Sequence, residues 1–444
     1  MSNSVDQPSA PVSVDEALAF AVQLHRAGHL DDAEAIYDRI LEVYPDQPDA
    51  LNFLGILSLR HGRRDKAVEL MQKAISLNPT HAGWYNNLGN VLLASERIED
   101  AVAAYEKAVA LDPGHAAAYN NLGIIYSVQQ RFEDSARAYE RAIELDPSNA
   151  ETYGNFGNLY SAKGEIRQAI LFYSKSLTLR EHDPYARMSI AKAHAALGEL
   201  EAAAAIYREW LEEEPDNPGV RHMLAACSGE DIPARAADAY IESTFDSFSE
   251  TFDVKLATLR YRAPQLVADA LSKAGATSGK SLCILDAGCG TGLCGPLLTP
   301  FAARLEGVDL SEGMLAKART RGVYDELAKA ELTQFLQSRS DVYDAVVSAD
   351  TLVYFGVLDD AAIAAWRALR AGGLLIFTVE AVNEEAAPQG YRLNTHGRYS
   401  HTRSYIERIL GDAGFADTTI ERDVLRREMG EPVDGLVVTA RKPN

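Results

Sequence analysis

Cysteine is scarce in this chain. Only Cys227, Cys283, Cys289 and Cys294 occur in 444 residues, too few and too unevenly spaced for a disulfide framework or a paired Cys-x-x-Cys metal site. The thiols are expected to be reduced and buried, and no metal centre is expected. Positive charge is also short, with 43 Lys and Arg against 64 Asp and Glu, a formal charge of -21. A surface that acidic repels a phosphate backbone, which argues against nucleic acid as a partner. No apolar run approaches a membrane span, and the opening MSNSVDQPSAPVSVDE has neither a basic stretch nor an apolar core. A cytoplasmic protein with no membrane partner is expected.

What the chain does have is a period. Pro45, Pro79, Pro113, Pro147 and Pro215 fall on one comb with teeth 34 residues apart, vacant only at Glu181. Gly55, Gly89, Gly123 and Gly157 recur at one offset and Ala33, Ala67, Ala101, Ala169 and Ala203 at another. Tyr37, Met71, Tyr105, Tyr139, Tyr173 and Tyr207 follow the alanine, or Ser135 in its place, by one helical turn. Small residues at fixed offsets mean close helix contacts, and the large ones fill the space between layers. Gly28, Gly62, Gly164 and Gly198 mark the turn inside each unit, where Glu96 and Gln130 stand in the middle units. One such unit cannot bury its apolar face, so neighbours must stack into a superhelix.

These features resemble the tetratricopeptide repeats, as six helix-turn-helix units over residues 14–217; WYNNLGN, AYNNLGI and TYGNFGN carry the likeness most clearly. The fifth unit departs by lacking its proline and the first by having Ala21 where the glycine belongs. Asn87, Asn121 and Asn155 share one offset, preceded in two units by Asn86 and Asn120. Stacking turns them into a row of amides, which either clamps the backbone of an extended peptide or bonds between units. In repeat arrays of related glycosyltransferases a similar row binds extended polypeptide, so the resemblance implies a protein or peptide partner in the groove.

From about Ala263 the texture changes to short β-rich runs alternating with alanine-rich helices, the pattern of a doubly wound α/β sheet. SLCILDA is the first strand and opens into GCGTGLCG, whose Gly288, Gly290 and Gly292 let the backbone turn sharply and present amide hydrogens to a ligand. The second strand ends in Asp309, a carboxylate placed to accept from ribose hydroxyls. Further strands end in Asp350 and Glu380, and GLVVTARK closes the sheet. Two cofactors compete for this loop. Gly290, Gly292 and Gly295 with Asp309 formally satisfy the dinucleotide fingerprint of an NAD-dependent oxidoreductase. Against it stand the leading acid Asp286 and a terminal strand pair suited to an antiparallel arrangement.

That combination resembles the class I S-adenosylmethionine-dependent methyltransferases, and more narrowly those with N-terminal tetratricopeptide repeats. LDAGCGTG, GVDLSEGML, VVSADTLVYF, FDSFSETFDVKLATLRYRAPQLV and RYSHTRSYIERILGDAGF carry the likeness. The resemblance implies an all-α superhelix followed by a Rossmann-like seven-stranded methyltransferase domain. It divides the chain into a disordered tail (1–13), six repeats (14–217), a capping helix and helical lid (218–262) and the methyltransferase domain (263–444). S-adenosylmethionine would lie against Asp286, Gly288, Cys289, Gly290 and Gly292 at its methionine end, with Asp350 nearby. Asp309 would take the ribose, Glu331 the adenine amino group, and Leu310 and Met314 the base.

Methyl transfer needs an aligned lone pair more than it needs a base. Tyr354 is the candidate for steering the acceptor. His396, Tyr399 and His401, expected in a loop after the fifth strand, are the candidates for moving a proton. Phe245, Phe248 and Phe252 share one helical face, read either as core packing or as the inner wall of a lid. Arg260 and Arg262 beside it would neutralise an acidic acceptor or pair with local carboxylates. Three functions remain open from sequence: a methyltransferase whose repeats recruit a protein or peptide-bound substrate, one that modifies a small molecule and uses the repeats for homo-oligomerisation or assembly, and a non-catalytic repeat scaffold.

Overall fold

The computed structural model describes residues 12–428 and 430–444, so the expected tail lies outside the described residues except for Val12 and Ser13. The chain divides into two compact units, one reaching Ala193 and the other beginning at His194.

The first unit is built from antiparallel helix pairs: α1 (Val14–Arg26) with α2 (Leu30–Val43), α3 (Pro48–Arg60) with α4 (Arg64–Leu77), α5 (Ala82–Ala94) with α6 (Ile98–Leu111), α7 (Ala116–Val128) with α8 (Phe132–Leu145), and α9 (Ala150–Ala162) with α10 (Ile166–Leu179). Helix α11 (Pro184–Ala196) runs across the division. Ser13 starts α1 with a reciprocal cap, its hydroxyl accepting from Glu16 N–H while the Glu16 carboxylate accepts from Ser13 N–H.

The glycine and tyrosine combs meet inside each pair. A Cβ on Gly89 would stand 2.4 Å from the Tyr105 ring, and one on Gly123 would stand 2.5 Å from Tyr139. Both rings are buried against a helix that can approach only because the glycine has no side chain. The turns obey the same logic from the backbone side. Glu96 and Gln130 adopt φ of 60° and 59°, as the glycines of the other turns do, at a cost of about 1 kcal/mol each.

The second unit begins with α12 (Leu200–Glu213), α13 (Pro218–Ser228), α14 (Asp238–Phe248), α15 (Phe252–Thr258) and α16 (Ala263–Lys273). A nine-stranded sheet follows: β1 (Leu282–Ala287), β2 (Ala302–Asp309), β3 (Glu326–Lys329), β4 (Tyr343–Ser348), β5 (Leu369–Ala381), β6 (Tyr391–Leu393), β7 (Tyr399–His401), β8 (Ala416–Glu428) and β9 (Glu431–Arg441). Helices α17 (Gly295–Leu298), α18 (Glu312–Thr320), α19 (Leu332–Gln337), α20 (Asp359–Ala368) and α21 (Arg403–Ala413) connect the strands.

Strands β3-β2-β1-β4-β5 run parallel in that order, and β9 joins β5 antiparallel and carries β8 on its far side. Seven strands thus take the expected places. The other two, β6 and β7, are a correction to the expected loop after strand five. Strand β5 overruns β4, and Glu380 pairs with Gly435 on one side and Ser400 on the other, so the exposed edge captures a short hairpin.

Residues alternate between two buried faces along these strands. Ile284, Val347, Ile376 and Val437 face the layer containing α16, while Leu285, Val346, Leu375 and Val438 face the layer of α20 and α21. Helix α13 closes on the β6–β7 hairpin: Ala225 and Ala226 pack on Leu393 and Tyr399, and His222 Nε2 donates to Gly397 O at 2.8 Å.

Candidate functional site

A cavity of about 250 Å³ opens at the carboxyl ends of β1, β2 and β4, where parallel α/β sheets place their ligands. Its floor is the glycine loop after β1. Gly288 has φ of 75° and is pressed against Thr351, where a Cβ would sit 2.1 Å from the threonine hydroxyl. Gly290 lines the cavity, and a Cβ there would meet no atom within 4 Å, so the missing side chain leaves open space for a ligand.

Asp309 ties this loop to β2. Its Oδ2 accepts from Gly290 N–H and its Oδ1 from Ser311 N–H, both at 2.9 Å. Burial pushes its pKa up while these amides pull it down. Asp309 lines the cavity, and a carboxylate has more acceptor sites than these two amides use. Leu310 and Met314 line the adjoining wall, so the expected ribose and base residues do converge.

Glu331 lies on the same wall, but its carboxylate caps α19, with Oε1 accepting from Thr333 N–H at 3.0 Å and Oε2 from Gln334 N–H at 2.8 Å. Cys289 lines the floor and is buried, and burial holds its thiol well above the usual range, so it stays neutral. Tyr354 is another wall residue, its ring set edge-on to Phe245 at 5.5 Å. Phe245, Phe248 and Phe252 all reach the cavity as one cluster, with centroids 5.5 to 5.9 Å apart.

Several expected site residues do not reach the cavity. Asp286 shares the Ile284 face of β1, where its Oδ2 accepts from the Tyr324 hydroxyl at 2.6 Å and its Oδ1 has no hydrogen-bond partner among the described residues. Burial raises its pKa to about 7. Gly292 turns the chain against Tyr324 and Arg321 and also stays out of the lining.

Tyr399 and His401 are buried strand residues of β7. The tyrosine hydroxyl donates to Pro233 O at 2.7 Å, and His401 Nε2 lies 3.2 Å from Gly356 O. His396 sits 3.5 Å from Glu380, behind the lining, and burial followed by Arg398 lowers its pKa to about 4. Arg262 pairs with Asp423 at 2.6 Å, and neither it nor Arg260 lines the cavity.

The polar end of the cavity contains two arginines that had no expected role. Arg426, 5% exposed on β8, donates to Asp350 Oδ2 at 2.8 Å, to Glu428 Oε1 at 2.7 Å and to Glu380. Arg398 joins Glu380 and Glu428 at 2.6 Å each. Asp350, at φ of 54°, also accepts from the Thr378 hydroxyl. The signal was weak. RRE at the end of β8 places one arginine inward by strand alternation, yet composition alone does not say which.

In the first unit the asparagine row is present, with its amides turned to one another. Asn87 donates to Asn52 Oδ1 at 3.1 Å, Asn121 to Asn86 and Asn90, and Asn155 to Asn120 at 3.2 Å.

Fold and site together define a class I methyltransferase domain joined to a helical repeat array. Residues 285–377 match the family described as methyltransferase domain, and residues 5–226 match the family described as the cilia and flagella-associated protein 70 C-terminal domain, a tetratricopeptide family. The chain belongs to that tetratricopeptide family by its first half and carries a methyltransferase domain in its second.

Human methyltransferase-like protein 27 is 36% identical over 169 residues, which cover 38% of this chain and 66% of that protein. The match therefore spans just under two thirds of the relative. Among solved structures, a thermophilic tetratricopeptide protein of Thermus thermophilus is 23% identical, covering 41% of this chain and 98% of its own with a TM-score of 0.37. Pseudomonas aeruginosa PilF is 17% identical, covering 48% of this chain and 96% of its own, with a TM-score of 0.42.

Proposed function

We propose that this protein transfers a methyl group from S-adenosylmethionine to an acceptor recruited by its repeats, a protein or a peptide-bound intermediate. The observation that carries the reading is Asp309, whose two oxygens are aligned by Gly290 and Ser311 on the wall of an open cavity. When bound, the cofactor supplies a methyl group already activated by its sulfonium.

The protein's own part is placement and exclusion of water. Asp309 holds the ribose, Leu310 and Met314 pack the base, and Glu331 meets the adenine amino group with the lone pairs its helix cap leaves free. Gly288, Cys289 and Gly290 give close backbone approach at the methionine end, with Asp350 beside them. Burial raises the Tyr354 pKa, so its hydroxyl stays protonated and orients the acceptor rather than taking its proton. Residues 218–262 serve as a cap for the repeats of 14–217 and as a lid for the fold of 263–444. A cytoplasmic location belongs to the same proposal; no helix among the described residues is long and apolar enough to cross a membrane.

A second reading keeps the transfer but assigns a small-molecule acceptor, the repeats serving assembly or homo-oligomerisation. The asparagine row favours it, because Asn87, Asn121 and Asn155 already donate to neighbouring repeats.

Calorimetric titration tests the shared part. S-adenosylmethionine binds, NAD does not, and Asp309→Ala weakens cofactor binding by at least 100-fold while the protein stays folded. Binding of NAD alone overturns the reading. The double change Asn87→Ala with Asn121→Ala leaves cofactor affinity intact, and its effect on turnover separates recruitment from assembly.

A further inference from the structure

The segment before the first strand repeats a dipeptide: Phe245-Asp246 on α14 and Phe252-Asp253 on α15 stand seven residues apart, across the turn between the two helices. The phenylalanines face the cavity, and the two acids reach the body of the fold at different places. Asp246 Oδ1 accepts from the Ser311 hydroxyl and from Gly313 N–H at 3.0 Å. Asp253 Oδ1 accepts from the Thr291 hydroxyl at 2.5 Å, and its Oδ2 pairs with Arg321, whose Nε in turn donates to Thr291 O.

Ser311 and Thr291 flank the ribose carboxylate on its two sides. Ser311 N–H bonds Asp309 directly, and Thr291 follows Gly290, whose N–H bonds the other oxygen of Asp309. The bonds therefore form a closed circuit from α14 through Ser311, Asp309 and the glycine loop to Thr291 and α15. The body is also cut to receive α14. A Cβ on Gly313 would stand 2.8 Å from Ser249 Oγ and 3.2 Å from Asp246 Oδ1.

We propose that Asp246 and Asp253 are positioning residues, twin latches that close the α14–α15 lid over bound cofactor and set its residence time. This rests on the methyltransferase reading of the cavity. Both acids lie at the protein surface, so each latch exchanges with water and opens without unfolding the sheet. Glu242 with Lys329, and Glu250 with Lys317 at 2.6 Å, add surface ion pairs along the same seam. Such pairs are screened by salt, so lid opening speeds up as ionic strength rises.

Two measurements on the full chain test the latches. Stopped-flow displacement of S-adenosylhomocysteine from Asp246→Ala/Asp253→Ala shows dissociation at least tenfold faster. Gly313→Val, which leaves both acids in place, shifts it the same way, and Asp246→Asn/Asp253→Ala recovers part of the loss, because Asp246 makes both of its bonds through one oxygen. Dissociation within twofold of the unaltered protein in both the alanine and valine variants overturns the proposal. Hydrogen–deuterium exchange across residues 238–258 of ligand-free protein is faster in the alanine variant, and unchanged exchange overturns it equally. Failure of the unaltered protein to bind S-adenosylhomocysteine would instead overturn the methyltransferase reading, and the ligand-free exchange then decides the latch by itself.

Discussion

In the repeat array a polar side chain finds its partner at a fixed distance along the chain. Asn87, Asn121 and Asn155 each reach back 35 residues to an asparagine of the preceding unit. In the methyltransferase domain no such interval exists. Arg426 meets Asp350 across 76 residues, Tyr324 meets Asp286 across 38, and Asp253 meets Thr291 across another 38 by an unrelated route. The array distributes its stability over many equivalent neighbour contacts, whereas the domain concentrates polar groups, some imperfectly satisfied, around one cavity.

The sharpest break in that comparison is at Asp286. Its folded pKa of about 7 lies above the ordinary 3.8, so the folded state holds its proton more tightly than the unfolded state. Above pH 7 the buried carboxylate is charged in both states, and the fold bears the full desolvation penalty, at most about 4 kcal/mol. That penalty shrinks as pH falls from about 7 towards 3.8. Asp286→Asn should therefore raise the unfolding midpoint at about pH 8 and change it little at about pH 4, as followed by thermal denaturation. An unaltered cofactor affinity in the same variant would place Asp286 in support of the loop rather than at the methionine end.

This residue also shows where sequence reading stops. The glycine and tyrosine combs, the αL positions at Glu96 and Gln130, and Asp309 at the tip of β2 were all legible, because each follows from spacing along one or two elements. Asp286 sat in the right motif, but strand alternation sets it beside Tyr324 and out of the cavity lining. His401 and Tyr399 were read as loop residues, since nothing local reveals that β5 overruns its neighbour and recruits them into a strand. Arg398 comes from the β6–β7 hairpin and Arg426 and Glu428 from β8, and their convergence depends on the complete sheet. Asp246 and Asp253 drew no notice beside the phenylalanines they follow, and only their partners give them a role.

Within the array the largest expected effect comes from filling a comb position. Gly123→Ala drives a methyl group to 2.5 Å from the Tyr139 ring, an overpacking that costs about 2–3 kcal/mol. Denaturant unfolding should show the loss while calorimetry shows cofactor affinity unchanged. Adding Tyr139→Leu relieves the clash, so the double change should be less damaging than the two single costs added. Strict additivity would mean that the glycine is not there for the tyrosine.

Asn121→Ala removes two bonds that Asn121 donates to the preceding repeat, to Asn86 and to Asn90, and should destabilise by about 1–2 kcal/mol. Asn155→Ala removes one and should cost about half as much. If both variants unfold like the unaltered protein, the row is not a structural tie, and its use as a peptide clamp gains weight.

The smallest effect has the opposite sign. Glu96 occupies a left-handed backbone position that four other units give to glycine, so Glu96→Gly relieves backbone strain while giving the unfolded chain more freedom. The first term is about 1–2 kcal/mol and the second about 0.5–1, leaving a net gain of about 0.5–1 kcal/mol. A stabilised Glu96→Gly beside a destabilised Gly62→Ala, where φ is 74° and nothing crowds the added methyl, would isolate the backbone term. Equal and opposite shifts at the two turns would show that the array tolerates strain unit by unit, without passing it to its neighbours.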